Sequence, residues 1–401
     1  MPHARLSNLG FGPWAFLGAW ALGFGHLPSS PLPLSILIAP DKFKGTLTAP
    51  QAAKSVARGW RAARPEDTLT QLPISDGGDG FGELMAEALS AESLTVQTQD
   101  AAHAPTDAPC WVVRNSGMAI IESANVIGLA MLSAEKRRPL ELDSRGLGIV
   151  LRDEQFDECR QRIIGVGGSA TNDGGFGMAR ELDWRFENAR GEAICAWIDL
   201  ANLQKIHPPK SKFSGETIVA VDVQNPLLGP DGCTRVFGPQ KGLRKKDIPK
   251  AEAALGRLAE VWEVRSGEDA ARIPGAGAAG GLGFGLHCFA GAKIRSGFEI
   301  FAEAAGLDAL LREADVVVTG EGAMDRQSVM GKGVGELAKR ARANGCRCIG
   351  LAGRLEDRPA LAGYLDDCHA LTDLTSATEA EADAARWLEE VAREVANGLE
   401  G

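Results

Sequence analysis

Short apolar runs that stop abruptly in loops of glycine and carboxylate restrict the fold of this chain more than any other feature. Ile36-Leu37-Ile38-Ala39 stops at Pro40-Asp41. Thr68–Leu72 stops at Pro73, ahead of Ser75-Asp76-Gly77-Gly78-Asp79-Gly80. Arg162–Val166 runs into a long glycine loop, and Asp315–Val318 ends at Thr319-Gly320-Glu321-Gly322. Short continuous apolar runs are strands covered on both faces, as in parallel sheets. Helical stretches lie between them. Thr48 and Gln51 fit a capping box ahead of Ala53, Val56, Ala57 and Trp60 at helical spacing. Val334, Leu337, Ala338 and Ala341 share a face before Asn344-Gly345, and a last helix, capped by Thr378 and Glu381, carries Leu388, Val391, Ala392, Val395 and Leu399. Strands alternating with helices near each chain end have the rhythm of a parallel α/β sheet. The middle reads differently. Leu94–Thr98, Trp111–Arg114 and Ala119–Glu122 follow one another with little helix, and Thr217–Val223 is a further strand, so a second, mixed sheet is expected there.

The chain has 401 residues, enough for two domains, and a net charge of −10, which argues against a nucleic-acid or anionic-membrane partner. Its eight cysteines form no C-x-x-C pair and its six histidines are scattered, so a zinc site is not expected and reduced thiols in the cytoplasm are. Residues 1–34 are apolar around Trp14 and Trp20 but interrupted by glycine and proline. That stretch is too short to span a bilayer and lacks a clean cleavage site, so it reads as an extension without a folded role.

Five segments carry candidate chemistry. Asp41-Lys42-Phe43-Lys44-Gly45 precedes a helix N-terminus, where an anion is favoured, although solvated lysines in a turn fit equally. Asp76-Gly77-Gly78-Asp79-Gly80 offers two carboxylates to a hard cation, or is an ordinary turn. Gly165–Gly175 follows a strand, and its first six residues match G-x-G-x-x-A; Gly275–Gly280 matches G-x-G-x-x-G without a strand before it. Gly320-Glu321-Gly322 with Asp325 and Gly331-Lys332-Gly333 pairs carboxylates with a lysine. No P-loop run is present.

Taken in order, these segments resemble the bacterial type I glycerate kinase family. The resemblance rests on Ala39–Gly45, Asp76–Gly80, Ile121-Glu122 with Gly128-Leu129, Gly167–Gly175, Asp222-Val223 with Asn225-Pro226-Leu227, Phe237–Gly242, Pro274–Gly283 and Thr319–Gly322, across about residues 35 to 375. It departs at Asp79, where a glutamate is common, at Ala323–Gln327, and at Gly333-Val334-Gly335. The resemblance implies a flavodoxin-like three-layer α/β domain formed by residues 35–93 and 295–401, with a mixed α/β domain of residues 94–294 inserted. It also implies ATP, Mg2+ and D-glycerate, with 2-phosphoglycerate favoured over 3-phosphoglycerate as product. A homodimer is compatible with it.

Phosphoryl transfer asks for a metal, cations for the phosphates and the glycerate carboxylate, and a carboxylate to orient the hydroxyl. Asp173, which closes the Gly165–Gly175 loop, is assigned to the hydroxyl, with Lys44 and Asp76 beside it. Gly167, Gly168, Ser169, Asn172, Gly277, Gly280 and Lys332 are assigned to the nucleotide, Asp41, Lys44 and Arg295 to glycerate, and Glu321, Asp325 and Asp79 to the metal. Two rivals stand beside this reading. An NAD-dependent oxidoreductase would use Gly165–Ala170, with Glu187 for the ribose; a sugar-acid or nucleotide-binding protein would bind without turnover.

Overall fold

The computed structural model describes residues 32–211, 215–329 and 333–399; the 1–31 part of the extension and Lys332 lie outside them. The strands, in chain order, are β1 (Ser35–Ile38), β2 (Thr68–Gln71), β3 (Glu92–Gln99), β4 (Pro105–Val113), β5 (Met118–Glu122), β6 (Gln161–Gly165), β7 (Arg185–Asn188), β8 (Leu203–His207), β9 (Glu216–Val221), β10 (Lys293–Ser296), β11 (Val316–Met324), β12 (Arg347–Leu355) and β13 (Asp367–Ala370). They form a five-stranded sheet in the order β13-β12-β11-β1-β2, a six-stranded sheet in the order β10-β9-β6-β5-β4-β3, and a β7-β8 pair. Every pairing in the five-stranded sheet is parallel. In the six-stranded sheet β3, β4 and β5 pair antiparallel, and β5, β6, β9 and β10 pair parallel.

Alternation along the strands assigns each face. In β5, β6 and β9, Ile120, Ile163 and Ile218 point into one core while Ile121, Ile164 and Val219 point into another. In β1 and β11, Leu37 and Val317 face that first core, and Ile36, Ile38, Val316 and Val318 face a third. The first core therefore lies between the two sheets, filled by Phe81 and Met85, by Phe298 and Phe301, and by Val334 and Leu337 from three intervening helices. The third core is closed by helices Ala49–Ala63 and Ala384–Asn397, with Trp60 fully buried beneath them. Truncating a side chain of that size in a packed core costs about 3–5 kcal/mol. The result is a mixed α/β stack in which both sheets share one layer of helices.

Local signals explain the helix boundaries. Thr48 caps the first helix with the expected reciprocal bonds to Gln51. The last helix differs from expectation. Ser376, not Thr378, caps Ala377–Ala382, and the chain breaks at Asp383, whose side chain accepts from Arg386 N to start a new helix. A carboxylate that can cap the next turn competes with continuing the present one. Among the described residues no helix is long and apolar enough to cross a membrane.

Candidate active site

The parallel strands of both sheets turn their carboxyl ends toward one place, the loop Ser75–Gly80 between β2 and helix Phe81–Leu89. Ligands settle at such ends because the loops there are free to vary over a fixed scaffold. Asp41 follows β1, and its N–H donates to Gly320 O of β11 at 2.8 Å. Thr319 Oγ1 donates to Ala39 O at 2.8 Å and seals the same junction. From the six-stranded sheet, Glu122 ends β5, Gly167 and Gly168 follow β6, and Asp222 follows β9.

Gly78 stands near the middle of this convergence. A Cβ placed on it would lie 2.9 Å from Lys42 Nζ, 3.2 Å from Asp76 Oδ1 and 3.8 Å from Asp222 Oδ2. Lys42 Nζ donates to Asp79 O at 3.1 Å, and Gly78 N donates to Asp76 Oδ1 at 3.2 Å. Gly167 has to be glycine: its Cβ would sit 2.4 Å from Gly78 Cα, so the two loops touch backbone to backbone. Glu122 holds the floor. Its two carboxylate oxygens accept from Gly80 N at 2.8 Å and Gly82 N at 2.9 Å, anchoring the start of helix Phe81–Leu89.

The carboxylates here are crowded. Burial and the Asp76 carboxylate push Asp41 up to about 7, against the pull of Lys42, with Glu321 adding to the rise. Burial and Asp76 also push Asp222 up to about 6, opposed by Lys42 and Lys44. Asp76 is thus the shared repelling neighbour, and two lysines are the compensating charges. Beside the cluster opens a cavity of about 620 Å3, lined by Asp41, Lys42, Lys44, Ser75, Asp79 and Glu83.

The structure brings Asp41, Lys44, Asp76, Asp79, Gly167, Gly168 and Glu321 to this cleft and its walls; the other described residues named from sequence are engaged elsewhere. Asp173 is fully buried, and its carboxylate accepts from Ser144 N, Ser144 Oγ, Gly175 N and Gly177 N at 2.7–3.2 Å. A carboxylate so engaged braces its own loop and has no room for a substrate hydroxyl. Asn172 Nδ2 donates to Thr234 Oγ1, and Ser169 Oγ donates to Ala279 O. Gly277 and Gly280 are glycines because the chain itself crowds them: a Cβ would lie 2.2 Å from Pro226 O and 2.0 Å from Thr171 O respectively. Gly277 N is already spent on Asn225 O. Arg295, on the edge strand β10, is paired with Glu303 Oε1 at 2.5 Å. Asp325 Oδ1 accepts from Ser328 N at the start of the short helix Arg326–Val329, and among the described residues no group of three or more His, Cys, Asp or Glu side chains is set to hold a metal. The dinucleotide alternative loses its ribose ligand: Glu187 lies in the antiparallel β7–β8 pair and meets His207 Nε2 at 2.8 Å.

Three residues were missed as site members. Lys42 was passed over for Lys44. Asp222 and Glu122 end β9 and β5, and the strand-end rule that found Asp41 and Glu321 applies to both.

The chain is similar to known proteins. A family model described as the glycerate kinase family matches residues 36–400. A protein of Halalkalibacterium halodurans named glycerate kinase is 38% identical over 330 residues, covering 80% of this chain and 86% of the relative. The glycerate 2-kinase of Escherichia coli K12 is 36% identical over 336 residues, covering 81% and 86%. The crystal structure of a putative glycerate kinase 2 from Salmonella typhimurium LT2 is 34% identical, with a TM-score of 0.75 over 91% of this chain and 98% of that one.

Proposed function

The chain belongs to the glycerate kinase family, and from that premise we propose that the cleft around Gly78 is where ATP phosphorylates D-glycerate on its 2-hydroxyl. The enzyme is a glycerate kinase that takes its phosphoryl group from ATP. The observation that carries the site is the convergence of Lys42, Asp76 and Asp222 on Gly78, with Asp41 lifted by the same Asp76, at the carboxyl ends of both sheets. The printed name of the Escherichia coli relative supports the 2-position.

In this reading Asp41, which lines the cavity, orients the acceptor hydroxyl and accepts its proton. Lys42 and Lys44 offset the charge of the phosphates and of the glycerate carboxylate. Asp76 and Asp222 are hard-oxygen donors held together against their repulsion, a set that fits Mg2+, which accepts one or two carboxylates and takes water and phosphate for the rest. When bound, Mg2+ supplies positive charge to the transferring phosphoryl group. Glu122 and Gly167 keep the Ser75–Gly80 loop in place, so the acceptor is aligned before reaction.

The strand order of the first sheet, counted by appearance of its own strands, is 2-1-3-4-5, the flavodoxin-like order. We accordingly divide the chain into a flavodoxin-like part, 35–91 with 297–399, and an inserted mixed part, 92–296. All eight cysteines are free thiols, which supports a cytoplasmic location.

The test is a coupled assay with D-glycerate and MgATP that separates 2-phosphoglycerate from 3-phosphoglycerate. Formation of 2-phosphoglycerate is expected. Exclusive 3-phosphoglycerate overturns the regiochemistry, and turnover undiminished in Asp76→Asn and Asp222→Asn overturns the site.

A further inference from the structure

Lys241 is a charge where a charge should not be stable. It ends the short turn Pro239–Lys241, is 3% exposed, and lies under the loop Gly167–Gly175. Its Nζ donates to Ser169 Oγ at 3.1 Å and to Thr171 O at 2.7 Å. Both acceptors belong to that loop. Ser169 Oγ in turn donates to Ala279 O, so one ammonium ties the loop to helix Ala278–Ala290. At its other end the same loop presents Gly167 and Gly168 to the cleft. A Cβ on Gly168 would stand 2.0 Å from Asp79 Oδ1, so a small displacement of the loop reaches the residues around Gly78 directly.

The groups facing Lys241 are few. Asp173 comes from the loop itself, with Asp143 behind it; Cys233 comes from helix Cys233–Val236, with Glu252 of helix Ile248–Ser266 behind that. The Cys233 thiol is pushed up to about 11 by burial, so near neutrality it is uncharged; burial and Asp143 also raise Asp173, the carboxylate that acts on Lys241. Burial lowers Lys241 to about 8. Burying an ammonium is costly, and an apolar residue would suit the packing alone.

We propose that Lys241 is a positioning residue for phosphoryl transfer, pinning Ser169 and Thr171 so that Gly167 and Gly168 stay pressed on Gly78 and Asp79. This rests on the Gly78 cleft being the reaction site. Inactivity of the wild type with D-glycerate and MgATP would count against that reading; a Lys241 variant matching an active wild type counts against this one.

The experiment measures kcat and KM from pH 7 to about 9.5 on the full chain, with melting temperature at each pH. For the wild type, kcat/KM is expected to fall on the alkaline side near pH 8. Stability moves the opposite way for this group. Its folded pKa lies below the unfolded one, so between the two the unfolded chain binds more protons and stability from Lys241 rises with pH. A merely structural lysine would give no alkaline loss of rate in a protein that is not melting. Lys241→Met should lower kcat at least about tenfold, with KM changed less, and should abolish the alkaline limb. Wild-type rates flat across that range, or a Lys241→Met enzyme with wild-type kcat, overturn the proposal. Should Lys241→Met fail to fold, the wild-type profile alone decides.

Discussion

Two loops of this protein read alike as sequence and behave differently as structure. Asp76–Gly80 and Gly167–Gly175 both follow strands, both mix glycine with aspartate, and both precede helices. In the second, the aspartate is saturated: Asp173 accepts four hydrogen bonds from Ser144, Gly175 and Gly177. In the first, Asp76 stands among acids from other loops. Burial and Asp76 lift Asp41 and Asp222 and leave Lys42 and Lys44 to compensate. A polar group whose partners come from its own chain holds architecture. Like charges kept close without enough counter-charge have a use that folding alone does not supply.

The largest break in this contrast would come from Asp222→Asn. Turnover should fall by about a thousandfold or more, ~4 kcal/mol at the barrier. The melting temperature should hold or rise, because one of several crowded negative charges has gone. Asp173→Asn should do the reverse. Its amide N–H would point at backbone N–H groups that now donate, and unfolding free energy should drop by about 3 kcal/mol in urea titration. A melting point unchanged by Asp173→Asn, together with abolished turnover, would exchange the roles of the two loops. Lys42→Met sharpens the cleft side alone: a loss in kcat/KM of about thirtyfold, ~2 kcal/mol, with little change in stability. Lys44→Met, at an exposed rim position, should cost about tenfold or less in the same measurement.

Much of this was legible beforehand, for physical reasons. The strand ends were visible because burial on both faces forces continuous apolar runs, and β1, β6 and β11 were found that way. That Asp41, Asp76 and Glu321 gather in one place was legible because a strand end is where side chains meet. Arg295 misled because its partner, Glu303, sits in the next helix, and pairing across a turn leaves no mark in a motif. Gly277 and Gly280 misled for a deeper reason. Glycine is needed where a backbone approaches anything, and here it approaches Pro226 O and Thr171 O, not a phosphate. The place of Lys42 against the Asp76–Gly80 loop was invisible, since it depends on a carbonyl, Asp79 O, brought from elsewhere in the chain.

The pairing of β1 with β11 has a consequence in time. Ser35 N reaches Asp315 Oδ2 across 280 residues of sequence, and Asp41 is tied to Gly320 beside it. A contact so distant along the chain carries a loop-closure cost paid late, and high contact order slows folding. During synthesis, Asp41, Lys42 and Asp76 leave the ribosome long before the strand that flanks them exists. Until then β1 has an open edge on the side β11 will occupy, a template for pairing with other chains. The half-made protein therefore has an exposed β1 margin, and the last third of the chain both supplies β11 to the cleft and covers that margin.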